Sequence, residues 1–84
     1  MAKQYLVAFG IALRKARNSS ALTQKELAKL CGCHASYISK LEAGKSDPYL
    51  DLFYSLSQAL SLSLSEFAAL VEEELTKQQS TAEK

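Results

Sequence analysis

The chain contains no tryptophan, one proline, three glycines, two cysteines and one histidine among 84 residues. So little glycine and proline excludes collagen-like repeats and most turn-rich all-β designs. Two cysteines, Cys31 and Cys33, flank a single residue. A bridge that tight would close almost no loop, so a disulfide framework is excluded and a reducing, cytoplasmic setting is expected. The longest apolar run, Tyr5 to Leu13, spans nine residues. A membrane span needs about 20. Arg14, Lys15 and Arg17 follow that run where a signal peptide would carry a small-residue cleavage site. There is also little net charge, only +1, which at first sight disfavours a nucleic-acid partner.

What is present is helical. Hydrophobic residues make up 48% and charged residues 23%, enough for one small core and too few residues for two domains. Leu6, Phe9, Leu13 and Ala16 repeat at helical spacing, and Asn18-Ser19-Ser20 breaks the pattern. Thr23 with Glu26 forms a capping box for a second helix, whose buried side is read as Leu27, Leu30 and Cys31. Gly32 ends it, because glycine tolerates the left-handed conformation. A third helix carries Tyr37, Ile38 and Leu41 and stops at Gly44. Pro48 opens a fourth with Leu50, Phe53, Leu56 and Leu60 inward. Ser63 and Glu66 cap a fifth with Phe67, Leu70, Val71 and Leu75 apolar. The expected fold class is all-α with five helices. Residues 1–75 form one domain in this reading, and residues 76–84 a flexible polar tail.

The second and third helices are joined by Cys31-Gly32-Cys33 alone. So short a connection with a central glycine makes either a generic helical corner or a helix-turn-helix, whose second helix is displayed outward. The outward residues of the third helix are Ala35, Ser36, Ser39 and Lys40. Lysine donates to guanine O6 and N7, serine donates or accepts, and an alanine methyl touches a thymine methyl.

The run Leu22 to Cys33, the segment Tyr37-Ile38-Ser39-Lys40-Leu41-Glu42-Ala43-Gly44-Lys45, and Pro48 with the Leu/Phe pattern to Phe67 together resemble the lambda repressor/Cro-like, or XRE-type, family. The resemblance spans roughly residues 9–71. It implies a five-helix fold and a sequence-specific, double-stranded DNA-binding regulator acting as a homodimer on a pseudo-palindromic operator. Restriction-modification controllers and small phage repressors are the single-domain members it resembles. Antitoxins, which bind a toxin and autoregulate their operon, are similar too and form the alternative.

The resemblance places base contacts at Ala35, Ser36 and Lys40, to which the outward face adds Ser39. It matches Gln24 to a residue that bonds a phosphate or braces the recognition helix, and Lys45 and Ser46 to a loop that grips the backbone. Thr23, Lys25, His34 and Tyr37 complete the expected phosphate set, with Arg14, Lys15 and Lys29 as outer candidates. His34 stands where the family prefers serine or threonine, and Tyr37 can either pack its ring or offer its hydroxyl. Arg17 and Glu42 match a family pair that ties the first helix to the third. Leu64, Phe67, Leu70, Val71 and Leu75 are the expected dimer interface, with Tyr49, Leu52 and Tyr54 as additions.

No cofactor and no metal are expected. Cys31, Cys33 and His34 are too crowded and too few for a zinc site. Catalytic residues are absent from the reading, because the chain offers neither a phosphate-binding glycine loop nor paired acids about a cleft. The small net charge also conceals a division. Residues 1–45 carry eight basic and two acidic side chains, whereas residues 46–84 carry two basic and seven acidic. The positive half holds the whole helix-turn-helix, so the charge distribution supports a DNA partner.

Overall fold

The computed structural model describes residues 2–82. It has five helices, α1 Ala2–Ser19, α2 Gln24–Cys31, α3 Ala35–Glu42, α4 Leu50–Ala59 and α5 Leu64–Ala82, and no strand among the described residues. None of these helices is long and apolar enough to cross a membrane.

Each boundary has a local cause. Thr23 Oγ1 accepts from the Glu26 N–H at 3.0 Å, and Glu26 Oε1 accepts from the Thr23 N–H at 2.9 Å. Ser63 and Glu66 repeat this exchange at the start of α5. Gly32 takes φ 70°, and the next N–H, of Cys33, reaches back to the Ala28 carbonyl at 3.0 Å. α1 and α4 are followed by the same left-handed step without glycine, at Ala21 (φ 57°) and Ser61 (φ 60°).

The core forms where α1, α4 and α5 converge. Phe9 lies 5.6 Å from Phe67 and 6.0 Å from Phe53, and Phe53 stacks on Phe67 at 5.0 Å. Leu13, Leu27, Ile38, Leu41 and Leu56 fill the rest and are fully buried. α5 packs mainly along α1, while α3 is held between α1 and α2.

Several expectations are corrected. α4 begins at Leu50 with Tyr49 as its N-cap, so Pro48 lies before the helix and does not open it. Leu50 is 78% exposed, and Leu52 takes the inward place expected of it. Leu52 is therefore no part of an outer face. Leu30 is 62% exposed, and Ala28 is buried in its stead. At about 100° per residue, Leu27, Ala28 and Cys31 share an arc that Leu30 falls outside. Phe67 and Val71 are buried within the protomer's own core and cannot serve a dimer interface. Of that expected set, Leu64 is exposed and Leu70 and Leu75 are half-buried. α5 also continues through Thr76 to Ala82, where a polar tail was expected. Residues 83 and 84 of that stretch lie outside the described residues.

Candidate nucleic-acid interface

The corner between α2 and α3 consists of Gly32, Cys33 and His34, one position later than the sequence suggests, because Cys31 is still helical. Burial of Ile38 and Leu41 fixes the rotation of α3. Ser36, Ser39 and Lys40 are thereby left exposed on the opposite side, whereas Ala35 is half-buried against the core. His34 is the N-cap of α3, but its side chain makes no capping hydrogen bond, and it stands exposed at the corner.

One carboxylate sets the position of α3. Glu42 Oε2 accepts from Arg17 Nε at 2.5 Å, and Oε1 accepts from Arg17 Nη2 at 3.1 Å and from Gln24 Nε2 at 3.0 Å. Arg17 Nη1 donates to the Leu22 carbonyl at 2.8 Å. The arginine and glutamate side chains are only 12% and 4% exposed. The hydrogen bond from Arg17 to Glu42 holds the guanidinium above its ordinary pKa, against the opposing effect of burial. A single acid at the end of α3 thus binds the end of α1 and the start of α2. Of the two roles open to Gln24, bracing is the one the geometry displays.

Gly10 completes this support and is a residue that the sequence reading missed. A Cβ there would stand 2.6 Å from the carbonyl oxygens of Leu41 and Glu42, so only glycine lets α1 approach the end of α3. The available signal was a glycine inside an amphipathic helix, which costs about 1 kcal/mol relative to alanine unless packing requires it.

The flanking backbone candidates divide. Thr23 Oγ1 accepts one N–H in the cap, and its hydroxyl proton is left to donate. Lys25, Lys29 and Lys45 are exposed, and Ser46 is half-buried. The Lys45 N–H closes the turn after α3 on the Lys40 carbonyl at 2.9 Å. Tyr37 is half-buried, and its hydroxyl donates to the Asp47 carbonyl at 3.4 Å, so it holds this loop. Arg14 is exposed and lines a polar cleft of about 230 Å³ with Arg17, Gln24, Ser39, Glu42 and Ala43. Lys15, another outer candidate, pairs its Nζ with Glu74 of α5 at 2.6 Å, with its side chain 60% exposed.

Cys31 and Cys33 are free and half-buried, packed against the core. Burial pushes the Cys31 thiol up to about 11 and raises that of Cys33. Among the described residues no group of three or more His, Cys, Asp or Glu side chains gathers to hold a metal ion.

Residues 13–67 match the helix-turn-helix family model. No curated protein matches the chain. Among solved structures, the restriction-modification controller protein C.AhdI from Aeromonas hydrophila is similar at 35% identity and a TM-score of 0.71, over 74% of this chain and 94% of that one. The clp gene regulator ClgR from Corynebacterium glutamicum is similar at 26% identity and a TM-score of 0.89, over 94% of this chain and 84% of that one.

Proposed function

The chain belongs to the helix-turn-helix family and is a DNA-binding transcription regulator, and we propose that it binds as a homodimer to an operator of two half-sites. In this reading each protomer places α3 in a major groove. The half-sites lie one helical turn apart, ~34 Å or about 10 bp. The observation that carries it is the Glu42 junction, which holds α3 rigidly while Ser36, Ser39 and Lys40 stay exposed. Rigid presentation of a short helix is what base readout needs, since a loosely held helix would lose the contact geometry. Lys40 reads guanine; Ser36 and Ser39 supply adaptable contacts, and Ala35 touches a thymine methyl with the exposed part of its side chain. Thr23, Lys25, His34, Lys45 and Ser46 meet phosphates, while Gln24 stays on Glu42 as a brace. Three short side chains leave room for DNA shape to contribute to specificity.

The dimer surface in this reading moves from the buried side of α5 to the outer side of α4. Tyr49, Leu50 and Tyr54 are exposed there, and Leu64 is exposed at the start of α5. Large apolar side chains left uncovered on a small protomer favour a partner surface. Similarity to C.AhdI over most of that chain favours a restriction-modification controller role over the antitoxin alternative.

Selection of bound sequences from random duplex DNA, followed by footprinting, tests the proposal. The expected result is one enriched motif with two related half-sites protected a turn apart. Recovery of unenriched DNA would refute it.

A further inference from the structure

The polar cleft beside the Glu42 junction holds a charge that the junction does not compensate. Three helices wall it: α1 through Arg14 and Arg17, α2 through Gln24, and α3 through Ser39 and Glu42. Two arginines against one carboxylate leave one positive charge in excess. Both Glu42 oxygens are engaged, Oε2 by Arg17 and Oε1 by Arg17 and Gln24. Arg14 is exposed and has no ion pair or side-chain hydrogen bond among the described residues. It also lies three positions before Arg17 on α1, a spacing at which like charges repel across the helix surface.

The donors decide what such a cleft can take. Arg14 offers a planar fork of N–H groups, and Arg17 uses only three of its own on Glu42 and Leu22. The Ser39 hydroxyl stands on the same wall, exposed and without a side-chain hydrogen bond among the described residues. An anion with several oxygens satisfies this set, and an arginine fork fits phosphate oxygens in pairs. Glu42 opposes a second anion, but its charge is already met by the two bonds from Arg17.

Position decides which phosphate. Ser39 shares the exposed side of α3 with Ser36 and Lys40, so the cleft opens beside the face that meets the groove. We propose that the cleft is a phosphate-binding site with Arg14 as its principal ligand, occupied by a backbone phosphate of the bound duplex; this rests on the DNA-binding reading above. Glu42 both walls the cleft and holds α3, so a phosphate seated there sets the register of α3 along the strand. Arg14 thereby joins the residues that position the protein on DNA, from a helix outside the helix-turn-helix.

The test places a single neutral methylphosphonate at each backbone position of the selected duplex in turn. Wild-type protein should lose affinity at least about ten-fold at one position per half-site through this cleft, the size of a lost charge-assisted hydrogen bond. Arg14→Gln should bind the unmodified duplex more weakly by a similar factor and lower the salt slope by about 1. It should lose nothing further at that one position, while staying sensitive where Lys45 makes contact. Arg14→Lys keeps the charge and should restore the salt slope with part of the affinity. If Arg14→Gln is as sensitive as wild type at every position, the backbone assignment is overturned while DNA binding stands. Calorimetry with inorganic phosphate and no DNA separates the two sources of phosphate. No saturable binding is expected. Saturable binding to wild type but not to Arg14→Gln, without any phosphonate position that depends on Arg14, would give the cleft to a free phosphate compound and overturn the duplex as its occupant. Failure to bind any duplex overturns the DNA-binding reading instead.

Discussion

Arg17 and Glu42, separated by 25 positions, meet through two parallel hydrogen bonds of 2.5 and 3.1 Å. The planar guanidinium matches both carboxylate oxygens, so the contact fixes orientation as well as distance. With both side chains nearly buried, removal of one partner leaves an uncompensated charge. Glu42→Ala should therefore cost ~3–5 kcal/mol, the range for a broken buried pair. Urea unfolding measures it. A loss below ~1 kcal/mol, typical of a surface pair, would show that the junction is not a buried one.

Gly10→Ala sets two effects against each other. Helix propensity alone predicts a gain of about 1 kcal/mol. The added Cβ, however, meets two carbonyl oxygens at 2.6 Å and a carbonyl carbon at 2.9 Å, all backbone atoms that cannot rotate away. Overpacking of this kind costs ~1–3 kcal/mol or more. A net loss is expected, lowering the melting temperature by ~4–8 °C per kcal/mol. An unchanged or higher melting temperature would mean that α1 does not press on the end of α3.

Glu74 gives the stability a pH dependence. The hydrogen bond from Lys15 is the main cause holding its carboxyl below the ordinary 4.5, against burial, which raises it. Its contribution is complete above pH 4.5 and is lost as pH falls through the lower folded value. The same hydrogen bond raises Lys15 above its ordinary 10.5, so that contribution is complete below pH 10.5 and fades as pH rises through the folded value. Glu74→Gln should remove the acid-side loss. Denaturation midpoints of wild type and variant should converge when the same comparison is made in acid.

Lys40 and Lys45 separate base readout from backbone attraction. In the proposed complex, Lys40→Ala loses ~1–3 kcal/mol of discrimination at one base pair. Lys45→Ala weakens all sequences alike and reduces the salt slope by about 1. Binding isotherms over a salt series, on selected and scrambled duplexes, distinguish the two. Sequence preference unaltered in Lys40→Ala would remove that residue from the groove.

The thiols should be slow. With the Cys31 pKa at about 11 and Cys33 raised by burial, both stay protonated at neutral pH. Thiol-disulfide reagents at pH 7 should label the folded protein far more slowly than the urea-unfolded chain. Equal rates would show that the corner is open.

The places where expectation and structure part follow one rule. Both capping boxes and the left-handed Gly32 depend on residues within three or four positions of one another, and all were legible. The Arg17–Glu42 pair was legible as well, but only through family resemblance. Leu30, Leu50, Phe67 and Val71 are equally apolar in sequence, yet two are exposed and two buried. Periodicity specifies a face, and only the neighbouring helices specify whether anything covers it. The aromatic cluster of Phe9, Phe53 and Phe67 absorbed residues that looked spare, and so moved the candidate dimer surface from α5 to α4.

Sequence by itself determined the five helices, most of their ends and the segregation of charge along the chain, because these rest on short-range hydrogen bonding and on composition; the helix-turn-helix was legible through family resemblance. Tertiary structure alone decided that Gly10 makes room for α3, that Lys15 pairs with Glu74, and which leucines remain at the surface. Those outcomes depend on distances between residues far apart in the chain, and such distances exist only once the helices have packed.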